Sequence, residues 1–198
     1  MSSRGREVLV TGASRGVGAA TVRAFAELGD RVVVHYRGAA VLAQQVLESL
    51  PGNGHTTAQA DLSQPEEVVR LAAESVDALG RVDVLVNNAA LFLDPADGWS
   101  RRGDHRITEI DYDRWTRTWQ TTLATNLMGP ANLIWCVARH MIDVPPAEGL
   151  PVGRVVNVRS RGAYRGEPDV RHTVLARRGC TLSASRWPSR SPRTASRW

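Results

Sequence analysis

Lysine is absent from this chain: each of its 25 basic residues is arginine. Any step that needs a lysine amine is closed to it. Acidic residues are absent beyond Asp169, so the last 29 residues carry +7 while the first 169 carry −2. The net charge of +5 belongs to the tail, which argues against a basic nucleic-acid-binding face on the body of the protein. Cysteine is nearly absent. Cys136 and Cys180 have neither metal-ligand nor redox spacing, so no metal site is expected, and each is expected to be a thiol that simply packs. No apolar run approaches the roughly 18–20 residues of a membrane-spanning helix. Met1 to Arg6 leads straight into a strand-like segment without the apolar stretch of a signal peptide, so a cytoplasmic location is expected.

What is present is enough for one domain: 198 residues, 42% of them hydrophobic. Glu7-Val8-Leu9-Val10 is a short apolar run of the kind that forms a buried parallel strand. Gly16 to Leu28 has helical spacing at Val17, Ala20, Ala24 and Leu28, and Gly29 ends it. Arg31 to Tyr36 is a Val-rich second strand, Ala39 to Leu50 a helix stopped by Pro51-Gly52, and His55 to Ala60 a weaker strand. Ser63 is expected to cap a helix from Pro65 to Leu79, with Gly80 at its end. Val82 to Val86 is a fourth strand, Asp94 to Asp111 a polar loop, and Asp113 to Val144 a long helix. After a turn over Pro145 to Pro151, Arg154 to Val158 is a fifth strand. Five strands alternating with four helices predict an open parallel α/β sheet. After about Val170 the acids and the apolar periodicity vanish and Ser, Arg, Pro and Trp dominate. Residues 1–169 are therefore assigned to the folded domain, and 170–198 to a basic tail whose composition supports no packed element.

Thr11-Gly12-Ala13-Ser14-Arg15-Gly16-Val17-Gly18 is a glycine-rich turn between the first strand and the first helix. Such a turn brings backbone close to a pyrophosphate, which then rests on the helix N-terminus. Its spacing, TGxxxGxG, resembles the short-chain dehydrogenase/reductase family. Four further segments carry the same resemblance in the same order. Ala60-Asp61-Leu62 follows the third strand, and Asn87-Asn88-Ala89-Ala90 ends the fourth, with Ala90 in place of the family's final glycine. Asn126-Leu127-Met128-Gly129 lies on the long helix, and Arg154 to Ser160 forms a strand leading to a serine, with Arg159 in place of the usual Ser. The resemblance spans about Val8 to Pro168. It implies a Rossmann-like, doubly wound parallel sheet, here incomplete on its C-terminal side. It also implies a dinucleotide held by Gly12, Ser14, Arg15, Gly16, Val17, Gly18, Asn88, Ala89 and Ala90, with Asp61 and Leu62 beside the adenine.

Cofactor choice has a physical basis. A carboxylate at the end of the second strand would bind a ribose 2′-hydroxyl and favour NAD. This strand ends His35-Tyr36-Arg37, and Arg15 with Arg37 would suit a 2′-phosphate, so NADP is expected over NAD.

The family's chemistry is hydride transfer between nicotinamide and a carbonyl or alcohol carbon. A Tyr serves as general acid/base, a Lys four residues on lowers its pKa, a Ser polarises the carbonyl, and an Asn supports a proton relay. Asn126 and Ser160 match the last two roles. The Tyr position, thirteen residues after Ser160, is Thr173, and the Lys position is Arg177. Tyr164 has no Lys partner and does not replace them. A reading-frame shift would account for this; the alternative is a naturally divergent tail with its own role. Codons allowed for His172 to Leu182, with one T inserted after the His codon, decode as His-Tyr-Gly-Ala-Ser-Lys-Ala-Gly-Leu-His-Ala, a Tyr-x-x-x-Lys segment at the right distance. In the same frame codons allowed for Ser191 to Trp198 can decode as Ala-Pro-His-Gly-Ile-Ala-Val, a run common before the family's sixth strand.

As written, then, the chain is expected to be an NADP-type oxidoreductase by descent that lacks its acid/base pair. The alternative is a non-catalytic dinucleotide-binding module. An RNA-binding protein has only the Arg and Trp of the tail behind it. The substrate class implied is a small carbonyl or alcohol compound, without nucleic-acid or membrane partners. The resemblance implies a homo-oligomer whose interface is damaged here. Loss of the later strands and helices is expected to expose the edge of the fifth strand and a helix face around Leu123, Leu127, Ile134 and Val137.

Overall fold

A computed structural model describes residues 5–91, 110–144 and 153–159. The polar loop over 94–111 falls almost wholly outside these residues, as do the turn at 145–151, Ser160, Tyr164, Thr173, Arg177, Cys180 and the tail.

The strands are β1 (Glu7–Val10), β2 (Arg31–Tyr36), β3 (Thr56–Gln59), β4 (Val84–Asn87) and β5 (Arg154–Asn157). All pair in parallel in the order β3-β2-β1-β4-β5. Between them run α1 (Gly16–Glu27), α2 (Ala40–Glu48), α3 (Pro65–Leu79), and a long helix made of α4 (Tyr112–Leu123), Ala124–Met128 and α5 (Gly129–Asp143). Strand alternation sorts the core into two layers. Val8, Val10, Val32, Val34, Val84 and Val86 pack against α1 and α2 on one face. Leu9, Val33, Ala58 and Leu85 meet α3 and α5 on the other. With both faces covered, the strands need nearly continuous apolar runs, which is what β1, β2 and β4 supply.

The chain leaves β1 toward β2 and β3 and then returns to the other side of β1 for β4 and β5. The connection reverses between β1 and β4, and in open parallel sheets ligands bind at the carboxyl ends of strands beside such a reversal. The glycine turn follows β1 there and Asn88-Ala89-Ala90 follows β4.

Two sequence expectations need correction. Ser63 does not cap α3. Gln64 stands at the cap position without a side-chain cap bond, while the Ser63 hydroxyl donates to Asp61 Oδ1 at 2.7 Å. Glu67 accepts the Asp61 N–H at 2.7 Å from the first turn, so the loop is tied to the helix from the other direction. Ile134 and Val137 are not exposed. They are buried against Val68, Leu71 and Ala72 of α3, while Leu123 and Leu127 are half-buried. Met128, Trp135 and Ile142, spaced seven apart, are exposed on this helix, as is Tyr112 at its start. Among the described residues β5 lies at the end of the strand order, next to β4. Cys136 is a free thiol, half-buried against the core, and burial raises its pKa.

The start of α5 presses on the loop after β3. A Cβ at Gly129 would run into the Leu62 carbonyl oxygen and come within 2.9 Å of the Leu62 Cβ. Helix propensity would favour Gly129→Ala by about 1 kcal/mol, but overpacking against backbone costs about 1–3 kcal/mol. The carbonyl cannot rotate away, so the clash wins. Gly129→Ala is expected to lower the urea midpoint; a raised midpoint would mean that α5 can slide off Leu62.

Candidate active site

The turn after β1 is held from three sides. Thr11 Oγ1 accepts the N–H groups of Asn88 and Ala89, each at 3.0 Å. The Asn88 side-chain amide donates to the carbonyls of Thr11 at 2.9 Å and Gly12 at 3.0 Å. From β2, His35 Nδ1 accepts the Gly12 N–H at 3.0 Å, and the His35 carbonyl accepts the Ala13 N–H at 2.8 Å. Gly12 has φ +64 and a Cβ there would lie 2.8 Å from Ala89 Cα, so both the turn and the close approach of β4 require glycine. A Cβ at Gly18 would meet the Gly12 carbonyl and, at 2.6 Å, Asn88 Nδ2.

The helix that follows begins bare. Its cap residue, Arg15, is extended and makes no side-chain cap bond, and the first turn carries no acid. Nothing lies within 4 Å of a Cβ built on Gly16. The first N–H groups of α1 and its positive dipole end are therefore turned to open space at the strand reversal, an arrangement that accommodates a phosphate. Ser14 is half-buried in the turn, and Arg15, Val17 and Arg37 are exposed around it. Asp61 is half-buried, and its carboxylate accepts both the N–H and the hydroxyl of Ser63. The Gln59 side chain donates to the Arg37 carbonyl at 2.9 Å, joining the ends of β2 and β3.

Asn126 sits where the long helix departs from regular α geometry. Over Ala124–Met128 the hydrogen bonds lengthen by one residue, and Gly129 N–H reaches the Ala124 carbonyl. Such a bulge re-aims side chains, and Asn126 is turned onto the strand-end loop. Its Oδ1 accepts the Leu91 N–H at 2.7 Å and its Nδ2 donates to the Leu91 carbonyl at 2.9 Å. The side chain is 4% exposed. A small cleft opens beside it, lined by Asn87, Ala90, Asn126, Pro130 and Asn157. Asn87 Nδ2 donates to Asn157 Oδ1 at 2.9 Å across β4 and β5, and Asn87 Oδ1 is buried without a partner among the described residues. Ser160 follows β5 just past the described residues.

The structure thus sets Gly12 and Gly18 against Asn88 and Ala89, and Asn126 beside Ala89 and Ala90 in the small cleft. It spends Asn88 on bracing the turn. Thr11 enters the sequence reading only as the first residue of TGxxxGxG, and His35 and Asn157 are given no site role there. For Thr11 and Asn157 no periodicity marks the role. For His35 there was a signal: a polar residue on a Val-rich strand buried on both faces. Among the described residues no group of three or more His, Cys, Asp or Glu could hold a metal, and no helix is long and apolar enough to cross a membrane.

The sequence model of a family described as short chain dehydrogenase matches residues 6–171. A 3-oxoacyl-[acyl-carrier-protein] reductase of Synechocystis is 31% identical over 173 residues, 86% of this chain and 62% of that protein. A glucose 1-dehydrogenase of Gluconobacter oxydans is 44% identical over 87 residues, 43% of this chain and 33% of that protein. Among solved structures, a short chain dehydrogenase from Burkholderia cenocepacia in complex with NADP superposes with a TM-score of 0.71 at 28% identity, covering 89% of this chain and 64% of that one. A blue fluorescent protein from a metagenomic library in complex with NADPH gives a TM-score of 0.70 at 27% identity, covering 89% and 65%. The chain therefore spans less than two thirds of the length of these relatives.

Proposed function

The chain belongs to the short-chain dehydrogenase/reductase family, and on that premise we propose that it carries an NADP(H) site and derives from a reductase of small carbonyl compounds. The observation that carries this is the uncapped start of α1, set at the strand reversal behind a turn braced by Thr11, His35 and Asn88. These residues fit a dinucleotide: Gly12, Gly16 and Gly18 leave room for backbone approach, and the bare N–H groups suit a pyrophosphate. By the family resemblance, Asp61 and Leu62 would border the adenine, Ser14 and Val17 would hold the phosphates, and Ala89 and Ala90 would face the nicotinamide. Nicotinamide, when bound, supplies the hydride.

The protein's own part is orientation and proton handling. Asn126, pinned to Leu91 on the bulge, would hold a water-linked proton relay, and Ser160, by its match to the family's serine, would polarise a carbonyl oxygen. Thr173 and Arg177 supply neither the general acid nor its ammonium neighbour. That specific departure favours a second reading, a dinucleotide-binding module without turnover. NADPH fluorescence titration tests the site, and NADPH oxidation with a panel of ketones separates enzyme from module. Binding of neither NADPH nor NADH would overturn both.

Cofactor preference rests on Arg15 and Arg37, both exposed, and on a β2 that ends without a carboxylate. Arg37→Asp replaces a guanidinium beside the 2′-phosphate with a like charge. It is expected to weaken NADPH about tenfold or more while leaving NADH unchanged or tighter. Equal affinity of the parent for both cofactors would remove the basis for an NADP site.

A further inference from the structure

We propose that His35 is the positioning residue of the cofactor cradle, a neutral ring that clamps the first glycine of the turn to the loop after β3. This rests on the turn being an NADP(H) site, as argued above. The ring is 2% exposed and bonded at both nitrogens. Nδ1 lies 3.0 Å from the Gly12 N–H, a donor, so Nδ1 must offer its lone pair. Nε2 lies 3.1 Å from the Ala60 carbonyl, an acceptor, so Nε2 must carry the hydrogen. The two contacts agree on one tautomer, and a second ring proton would face the Gly12 N–H head on. Burial favours the same neutral form.

The consequence is mechanical. Gly12 opens the phosphate turn, and Ala60 precedes Asp61 and Leu62, which by the family resemblance would border the adenine. One imidazole therefore couples the two walls between which the dinucleotide would lie. The backbone of the same residue adds a third tie through the Ala13 N–H. Charged groups nearby do not provide an alternative brace. Asp61 acts on the ring only through its field, and Arg15 on the turn and Arg37 on the strand end are exposed. A histidine that merely filled the core would contribute to stability without setting cofactor affinity.

Two substitutions separate these roles. Asparagine places Oδ1 where the ring has Nδ1, so His35→Asn keeps the acceptor for Gly12. Leucine has nearly the same shape as asparagine without the acceptor. With the full chain and NADP⁺ measured by calorimetry at pH 7.5, His35→Leu is expected to weaken binding about tenfold or more, the usual scale for an orphaned buried donor. His35→Asn keeps the acceptor for Gly12 but loses the bond to Ala60, so it is expected to weaken binding by an intermediate amount, about threefold. Amide exchange at Gly12 should accelerate in His35→Leu and not in His35→Asn. Equal NADP⁺ binding by a folded His35→Leu, or equal loss in both variants, overturns the proposal. If His35→Leu does not fold, imidazole ¹⁵N resonances of the parent decide: an Nε2–H, unprotonated-Nδ1 ring whose signals move on NADP⁺ addition supports the clamp, and any other form or no movement overturns it. Should the parent bind neither NADP⁺ nor NAD⁺, the cofactor reading itself has failed, and Gly12 exchange in the free protein alone then decides whether the clamp exists.

Discussion

Insertion of one nucleotide before the codon for Thr173, with translation continued in that frame, is expected to raise NADPH-dependent ketone turnover by about 10²–10⁴-fold, the usual share of general acid/base assistance. The chain as written should not catalyse carbonyl reduction at an enzymatic rate. The reason lies in residues: with Thr173 and Arg177 in place and no lysine anywhere, no side chain can take the proton roles of a Tyr and its Lys. In the shifted frame those two types return four apart, one helical turn, so both would sit on one face. The family match, which ends at residue 171, stops just short of Thr173. Asn126 is already fixed by its paired bonds to Leu91, so the repair would meet a side chain held in place. The same insertion should raise soluble yield, because Met128, Trp135 and Ile142 are exposed on the long helix and a restored helix would have an apolar face to cover. Both chains should be expressed side by side and assayed on a broad ketone panel. Vigorous NADPH oxidation by the 198-residue chain, abolished by Ser160→Ala, would sink the account. So would an early stop, or a downstream frame without strand and helix periodicity.

Most of the sheet was legible because burial on both faces leaves a direct trace. Arg31 to Tyr36 and Pro65 to Leu79 were bounded to the residue, the first by its Val run, the second by Pro at the start and Gly80 at the end. The glycine turn and the β4-end loop were legible because backbone approach restricts residue type. Other features depend on partners far away in sequence. Ser63 was expected at a cap, but Asp61, two residues back, captures its hydroxyl. The bulge at Asn126 has no periodic signature, since it depends on bonds to Leu91 across the crevice. Ile134 and Val137 were expected to be bare because what covers a helix face was judged from the tail. In fact α3 covers that stripe, and the exposed one lies further round the helix at Met128, Trp135 and Ile142. His35 was noticed only as the absence of a carboxylate at the strand end. Its two ring contacts, to Gly12 and Ala60, join loops 48 residues apart in sequence and appear only in three dimensions.

The same ring should make the fold acid-sensitive in a way that one substitution can isolate. Burial pushes the His35 pKa down from 6.5 to about 4, more than its bond to the Ala60 carbonyl and the field of Asp61 can offset. Between those two values the unfolded chain binds a proton that the folded chain refuses, so stability falls as pH falls. The contribution is fully present above pH 6.5 and is lost as the pH drops toward about 4, a total of about 3 kcal/mol at 1.36 kcal/mol per unit. Carboxylates titrate lower in the same range and would obscure a simple acid-melting curve. They are common to the parent and His35→Asn, so the difference between the two cancels them. At pH 7.5 the parent should be the more stable by about 1 kcal/mol, the worth of the lost bond to Ala60. As pH falls through 6.5 that advantage should shrink and then reverse, because asparagine has no proton to gain. Urea unfolding of both proteins at pH 7.5, 6.5, 5.5 and 4.5 (assay settings spanning about the window set by the two pKa values) gives the difference directly. A gap that stays constant within about 0.5 kcal/mol across that series would show that the ring is not buried neutral. The Nδ1 bond to Gly12 would then have to be abandoned along with the clamp that depends on it.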